Sequence, residues 1–560
     1  MNSKDIKLIE NMYNAGIFKI EERHRLNIYK PEKQSLIPID TIGDRMKLSP
    51  YPYQKDGIKY SVEQLNALLV CPCGAGKTPI LLGIYDECIK NNIVKGKCII
   101  LVKASLKRQW CREVEKFTNY SASAIFTRSM ISKNKNKIKL REEKQLKQGI
   151  DLSEEIKALQ EEDDKRFEEQ FNSDILILNY ESLLNEEIEK RLHKINPQIV
   201  LADEIHYVKS RKAKRTKKLA KFNKAKVKVG ATATPIKQSY EDAYAIFNFL
   251  NPKLFKNYDI FKKSYLKVDR WDNVIGYKNL NELKEKICAY SFVKTEEEVS
   301  SQLPELNVIQ RYCDVAPIIA EMTAQITEEV KELREQEKSI RAKCKDQKDM
   351  ETNPELQKIT AKIMALNTFA QELADEPKLL EDSESQMAKN YAVGRCENTK
   401  LELLYDLVSE IIESGEKVCI FTRYVPMQKY IKNKLQDIDS NMKFAIVNGS
   451  ITGNDRDIEV HDKFTLSDEY KVLLATDALA EGANLSSCKY LIEYDLADSY
   501  AIQTQRHGRI KRASSEHRHV TVYQLIALGS YDEAAFKIVS KKQKYDANMF
   551  KVKGIIEDES

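Results

Sequence analysis

The sequence predicts an α/β protein of two tandem lobes, each built on a parallel sheet and carrying charged helical insertions. Three observations lead there: short apolar, β-branched runs recur along the chain, stretches of helical periodicity separate them, and the runs fall into two groups. The first group is NALLVC at 66–71, CIILVK at 98–103, DILILNY at 174–180, QIVLADE at 198–204 and VKVGATAT at 227–234. The second is KVCIFTR, FAIVNGS, KVLLATD, YLIEYD and VTVYQLIA, all between 417 and 527. Between the groups, residues 311–395 are strongly charged and read as helix, and a second charged stretch, about 128–172, interrupts the first group as a helical hairpin. The expected order is an N-terminal extension (1–45), a first lobe (46–310), a helical insertion or spacer (311–395), a second lobe (396–545) and a tail (546–560).

A length of 560 residues gives room for more than one core, and 42% hydrophobic with 31% charged residues suits a globular chain. No apolar run approaches the ~20 residues that cross a bilayer, and the segment MNSKDIKLIENMYNAG lacks the apolar stretch of a secretion signal. A cytoplasmic protein with no membrane partner is expected. The cysteines are scattered without zinc-ribbon spacing and are expected as reduced thiols. A net charge of +6 is too small on so long a chain to argue for a polyanionic partner, so local clustering has to do so.

After the strand NALLV, the segment CPCGAGKTPILLGIYDECI opens an apolar helix. This is a phosphate-loop pattern. Gly74, Ala75 and Gly76 let backbone N–H groups curl around phosphates, Lys77 reaches the β and γ phosphates, and Thr78 can ligate magnesium. Cys71 stands where the strict pattern has its first glycine. The partner is QIVLADEIH, which ends an apolar strand in adjacent carboxylates with separate tasks: Asp203 for the metal shell, Glu204 to orient and deprotonate the attacking water. ATP and Mg2+ are the cofactors that this pairing implies.

At DEIH the sequence resembles the DExH box of superfamily-two helicases, and VLADEIHYVKSRKAKRTKKL is similar to their SWI/SNF-type ATPase branch, whose core is two RecA-like lobes. YPYQKDGIKY resembles that family's adenine-reading Q motif, which implies that Gln54 contacts the base. CIILVKASLKRQWCREVEKF resembles motif Ia. GATATPIKQSYEDAYAIFNFLNP resembles motif III, which implies that Thr232, Thr234 and Pro235 link hydrolysis to the nucleic-acid path. In the second group, KVCIFTRY resembles motif IV and FAIVNGSITGNDRDIEVHDKF the block after it. KVLLATDALAEGANLSSCKYLIEYD resembles motif V, with Thr476, Asp477, Gly482 and Asn484 at matching positions, Gly482 on the nucleotide side. YAIQTQRHGRIKRASSEH resembles motif VI, with Gln505, Arg509 and Arg512 at the family's spacing. Two arginines three apart fall on one helical face, as two guanidinium groups meeting one phosphate cluster require.

From Lys209 to Lys228 there are eleven Lys or Arg and no acidic residue. Such a stretch neutralises phosphates without reading sequence, as a motor moving along its track needs. Lys209 and Arg211 lead it, and the further phosphate-contact candidates are Lys107, Arg108, Arg423, Gly449, Arg456 and Thr476. They lie near the C-terminal ends of strands or in the loops after them, where open parallel sheets present ligand sites. The expectation is a translocase on double-stranded DNA, with RNA or a single strand as other tracks, a strand-separating DNA or RNA helicase as the alternative activity, a nucleic-acid-binding scaffold that has lost hydrolysis as the rival from another class, and protein partners at the charged insertions.

Overall fold

The computed structural model describes residues 38–148, 151–233, 240–269, 274–344, 347–394, 396–451, 453–480, 483–497 and 499–537. It forms two compact units, the first mainly up to residue 302 and the second mainly from Leu303 onward.

In the first unit, helix α1 (Pro52–Gln64) starts on a proline, whose missing N–H costs nothing at that position. Strand β1 (Asn66–Val70) leads through residues 71–76 into α2 (Lys77–Lys90), buried along most of its length. Then come β2 (Cys98–Val102), α3 (Lys107–Phe117) and β3 (Ala122–Ala124). The charged hairpin follows as α4 (Lys135–Gln148) and α5 (Ser153–Glu169). Next are β4 (Ile175–Asn179), α6 (Glu186–Ile195), β5 (Ile199–Asp203), β6 (Val227–Thr232) and β7 (Ser291–Val293). The sheet order is β3-β4-β2-β5-β6-β1-β7, with every pairing parallel. All seven strands therefore end at one edge. β6 lies between β1 and β5, and the register sets Val70 opposite Thr232 and Asp203 opposite Ala231. Three segments distant in sequence thus end side by side.

The second unit opens with β8 (Glu305–Asp314), followed by the long helices α7 (Pro317–Lys343) and α8 (Pro354–Asp375). It continues with α9 (Thr399–Glu413), β9 (Val418–Phe421), α10 (Val425–Leu435), β10 (Lys443–Val447), β11 (Tyr470–Ala475), β12 (Tyr490–Glu493), α11 (Tyr500–His507) and β13 (His519–Leu528). The order β8-β13-β12-β9-β11-β10 is again wholly parallel. Alternation along the strands divides the core. Val418, Ile420, Val472 and Leu474 pack with α9 and α10 on one face, while Cys419, Phe421, Leu473 and Ala475 pack on the other. α7 and α8 close over an apolar seam of their own, including Ile326, Val330, Ile363 and Leu366.

The ten apolar runs are all strands, and both charged segments are helical. Five strands among the described residues were not expected: β3, β7 and β8, and the two short strands Leu266–Val268 and Val274–Tyr277, which form a small sheet of their own. The lobe boundary drawn at 310 falls inside β8, which belongs to the second sheet. Thr234 and Pro235, Gly482 and most of the two terminal segments lie outside the described residues. Among the described residues no helix is long and apolar enough to cross a membrane.

Candidate nucleotide and nucleic-acid site

Residues 71–76 curl because Gly74 and Gly76 take φ of +80° and +67°, a region that side-chain-bearing residues avoid. A Cβ on Gly76 would also fall 2.5 Å from Gln54 Nε2. The loop is held from below. Tyr53 donates its hydroxyl to the Ala75 carbonyl at 2.7 Å, and Gln54 Nε2 donates to the carbonyls of Ala75 and Gly76 at 3.2 and 3.4 Å. Gln54 Oε1 accepts the Tyr51 N–H. Gln54 is 3% exposed; the nitrogen end of its amide serves the loop and the oxygen end caps the start of α1.

Lys77, first residue of α2, donates to the carbonyls of Cys71 and Pro72 at 3.5 and 3.4 Å, and its Nζ lies 3.8 Å from Glu204 Oε1. The acid pair ends β5. Asp203 Oδ1 accepts the Glu204 N–H at 3.1 Å, and Tyr180 donates to the Asp203 carbonyl at 2.7 Å. Glu204 takes φ 49° and ψ 54°, a left-handed conformation unusual for a residue with a side chain. Its Oε2 accepts the Thr232 hydroxyl at 3.1 Å, and His206 Nδ1 lies 3.1 Å from that oxygen and 3.0 Å from Thr232 Oγ1. Burial raises the Asp203 carboxyl, and the negative charge of Glu204 raises it further, to about 6. Burial would raise Glu204 too, but Lys77, His206 and Thr232 outweigh it and hold that carboxyl low. The two neighbours are therefore electrostatically unlike, as distinct tasks require.

In the second unit, α11 stops at His507 with Gly508 as its C-cap. Arg509 and Arg512 therefore do not share a helical face; they lie in the turn beyond the helix. They converge nonetheless: Arg509 Nη1 and Arg512 Nη2 both donate to the Ala483 carbonyl, at 3.2 and 2.7 Å. The Gln505 carbonyl accepts from Arg509 Nε at 2.9 Å. The residue that sequence reasoning missed is Arg506, fully buried. It donates to Asp477 Oδ1 and to the Asp495 carbonyl at 2.8 Å each and lies 3.5 Å from Glu493 Oε1. The available signal was three carboxylates at the ends of apolar runs, which a folded core must pair. Asp495 Oδ2 accepts from Thr422 Oγ1 and the Arg423 N–H while its carbonyl accepts from Arg506, so the loop after β9 and the helix before Arg509 are tied through one residue.

The phosphate-contact candidates divide. Lys107 leaves the set: its Nζ is buried, donates to the Ile125 carbonyl at 2.8 Å and lies 3.9 Å from the centre of the Phe126 ring. Arg108 beside it is exposed. Arg211 stacks on Tyr258, with 3.7 Å between the guanidinium carbon and the ring centre. Within the basic stretch, Lys218 and Lys221 pair with Glu189, Arg215 with Glu181, and Lys228 is buried on the Asn223 carbonyl. Lys212, Lys214, Lys217 and Lys224 stay exposed, and Lys209 is partly so. Gly449 is exposed, Arg423 half-buried, and Arg456 and Thr476 are buried.

The SNF2-related domain model matches residues 53–378, more than half of the chain, and the helicase conserved C-terminal domain matches 399–514. The chain belongs to the SNF2-related family. A putative ATP-dependent helicase/translocase, YwqA, of Bacillus subtilis is 22% identical over 96% of this chain and 53% of its own length. An uncharacterized ATP-dependent helicase of Mycoplasma pneumoniae is 23% identical over 88% of this chain and 41% of its own. The chain thus spans about half the length of these relatives. The solved Sulfolobus solfataricus SWI2/SNF2 ATPase core in complex with dsDNA is 21% identical, covering 92% of this chain and 95% of that one, with a TM-score of 0.39.

Proposed function

We propose that this SNF2-related chain is a magnesium- and ATP-dependent translocase on double-stranded DNA. The observation that carries the reading is Lys77 Nζ at 3.8 Å from Glu204, where the glycine loop after β1 and the acid pair after β5 flank Thr232. The loop's backbone suits a triphosphate, and the oxygens of Thr78 and Asp203 suit a small hard cation; bound there, the two supply charge neutralisation for phosphoryl transfer to water. Lys77 binds the phosphates, Glu204 orients the water, and Thr232 with His206 fixes the direction of that carboxylate. Gln54 supports the loop. Arg509 and Arg512, which converge on the Ala483 carbonyl, are the second unit's phosphate-binding cations. Arg108, Lys209 and the exposed lysines of 212–224 supply DNA-phosphate contacts.

Duplex-stimulated ATP hydrolysis tests the chemistry. Lys77→Ala and Glu204→Gln are each expected to lower it by ~10²-fold or more, and an unchanged rate in either refutes the assignment. Displacement of a third strand from a triplex, measured beside unwinding of a forked duplex, tests the motion. Displacement without unwinding supports translocation. Unwinding favours a strand-separating helicase, and duplex binding without hydrolysis favours a scaffold.

A further inference from the structure

The helical hairpin between β3 and β4 carries an unevenly neutralised charge. From Arg128 to Arg141 the sequence has six cations (Arg128, Lys133, Lys135, Lys137, Lys139 and Arg141) and no acidic residue. The antiparallel helix α5 is acidic, and ordinary packing would pair the two. It does so only for the arginines. Arg141 bonds to Glu155, Arg128 to Asp164, and Arg166 of α5 takes Glu162 and Asp163. Asn134, 2% exposed, pins the start of α4 by donating to the Leu159 carbonyl and to Glu162. Lys133, Lys135, Lys137 and Lys139 are exposed, and none forms an ion pair among the described residues.

The hairpin leaves from the C-terminal end of β3, the sheet edge at which the phosphate loop, the acid pair and the loop before α3 also lie. Its base is joined to α3. Phe126 lies under Lys107 and 5.9 Å from the guanidinium carbon of exposed Arg108, and the Phe126 N–H donates to Gln170 at the end of α5. A rigidly rooted helix with Lys135, Lys137 and Lys139, and Lys133 just before it, all without ion pairs among the described residues and beside a phosphate-contact candidate, is complementary to a polyphosphate backbone. The nearby carboxylates do not discharge it.

We infer that Lys135 and Lys139, one turn apart on one face of α4, form with Lys133 just before the helix an accessory duplex-DNA contact of the first unit, outside the recognised motifs, which lengthens the track by phosphate contacts without base readout. The inference rests on the proposed duplex-translocase reading. Its test is the salt dependence of duplex affinity, measured with a fluorescent duplex of random sequence and the full chain. Each phosphate contact adds about 0.9 to the slope of log affinity against log salt. Replacing these three lysines by glutamine is expected to reduce that slope by at least about 1 and to weaken binding roughly tenfold near physiological salt. Lys157→Gln with Lys165→Gln, on the other helix of the same hairpin, is expected to leave it unchanged. A smaller fall in the triple variant, or an equal fall in the α5 control, overturns the placement; the first result would leave the row to an acidic protein partner. A parent chain that binds no duplex overturns this placement together with the translocase reading, whereas a binding parent with an unaltered triple variant overturns the placement alone.

Discussion

Glu204 holds a left-handed backbone conformation that costs about 1–3 kcal/mol for a residue with a Cβ, and the surroundings over-determine it. One of those supports is the Thr232 hydroxyl at the end of β6. Thr232→Val keeps the shape and removes the donor. Turnover is expected to fall about tenfold, in line with one lost hydrogen bond to a charged group, with nucleotide affinity within twofold; equal losses in both, measured by steady-state kinetics and nucleotide titration, would place Thr232 in binding instead. Arg512→Ala is expected to leave nucleotide binding largely intact and to slow hydrolysis ~10³-fold, the effect of losing an arginine that acts at the transition state. Rapid-quench single turnovers separate the two. Glu493 concerns stability. Burial would raise its carboxyl, yet His507, Arg506 and Gln524 together bring it down to about 2. Its folded value lies below its unfolded one, so its contribution is complete above about 4.5 and is lost as pH falls toward about 2. In denaturant melts, Glu493→Gln should flatten the acid limb of the stability profile across that window.

At the scale of elements, the second unit binds its helical insertion through a buried charge cluster rather than apolar packing alone. Lys400 of α9 donates to Asp375 at the end of α8 and to Asp532 after β13, at 2.7 and 2.6 Å, with all three side chains at most 1% exposed. Gln371 bridges the same two carboxylates, and Tyr494 donates to the Asp375 carbonyl. Removing the lysine strands two carboxylates in a dry site. Lys400→Met is expected to cost about 3–5 kcal/mol, read from the denaturation midpoint of the second unit, while Lys400→Met with Asp375→Leu and Asp532→Leu recovers much of it. Elements were legible in the sequence where burial was complete. β2 and β5 read plainly because nearly every residue is apolar. β3 and β7 are three residues long, too short for any pattern to register. β8 was hidden for another reason: it is an edge strand whose Val308, Ile309 and Tyr312 stay exposed, so its residues follow no core-facing alternation. The site was legible as motifs, since Lys77, Asp203, Glu204 and Thr232 do come together. What spacing could not supply was partnership. Nothing in the sequence distinguishes Lys107, turned inward over the Phe126 ring, from Arg108, turned out, or shows that Arg506 is the fully buried arginine of its segment.

For the whole molecule, +6 spread over 560 residues conceals strong local contrasts. In the 209–228 stretch Arg215, Lys218 and Lys221 neutralise Glu181 and Glu189, while Lys133 and the α4 residues Lys135, Lys137 and Lys139 stay without ion pairs among the described residues. Charge content therefore identifies the track less well than charge left over after folding, and the salt slope is the measurement that reads the remainder. The arrangement of the second sheet has a further effect. Its first strand pairs along ten residues with its last, Glu305 opposite His519 through Asp314 opposite Leu528. A ribosome adding about 5–20 residues per second reaches His519 roughly 10–40 s after Glu305. During that interval β8 is a finished strand without a mate, with Val308, Ile309 and Tyr312 available to any passing sheet edge. The nascent second unit therefore has to be shielded during synthesis, and ribosome profiling of chaperone occupancy should show engagement beginning once β8 has emerged and ending only after β13 has followed it.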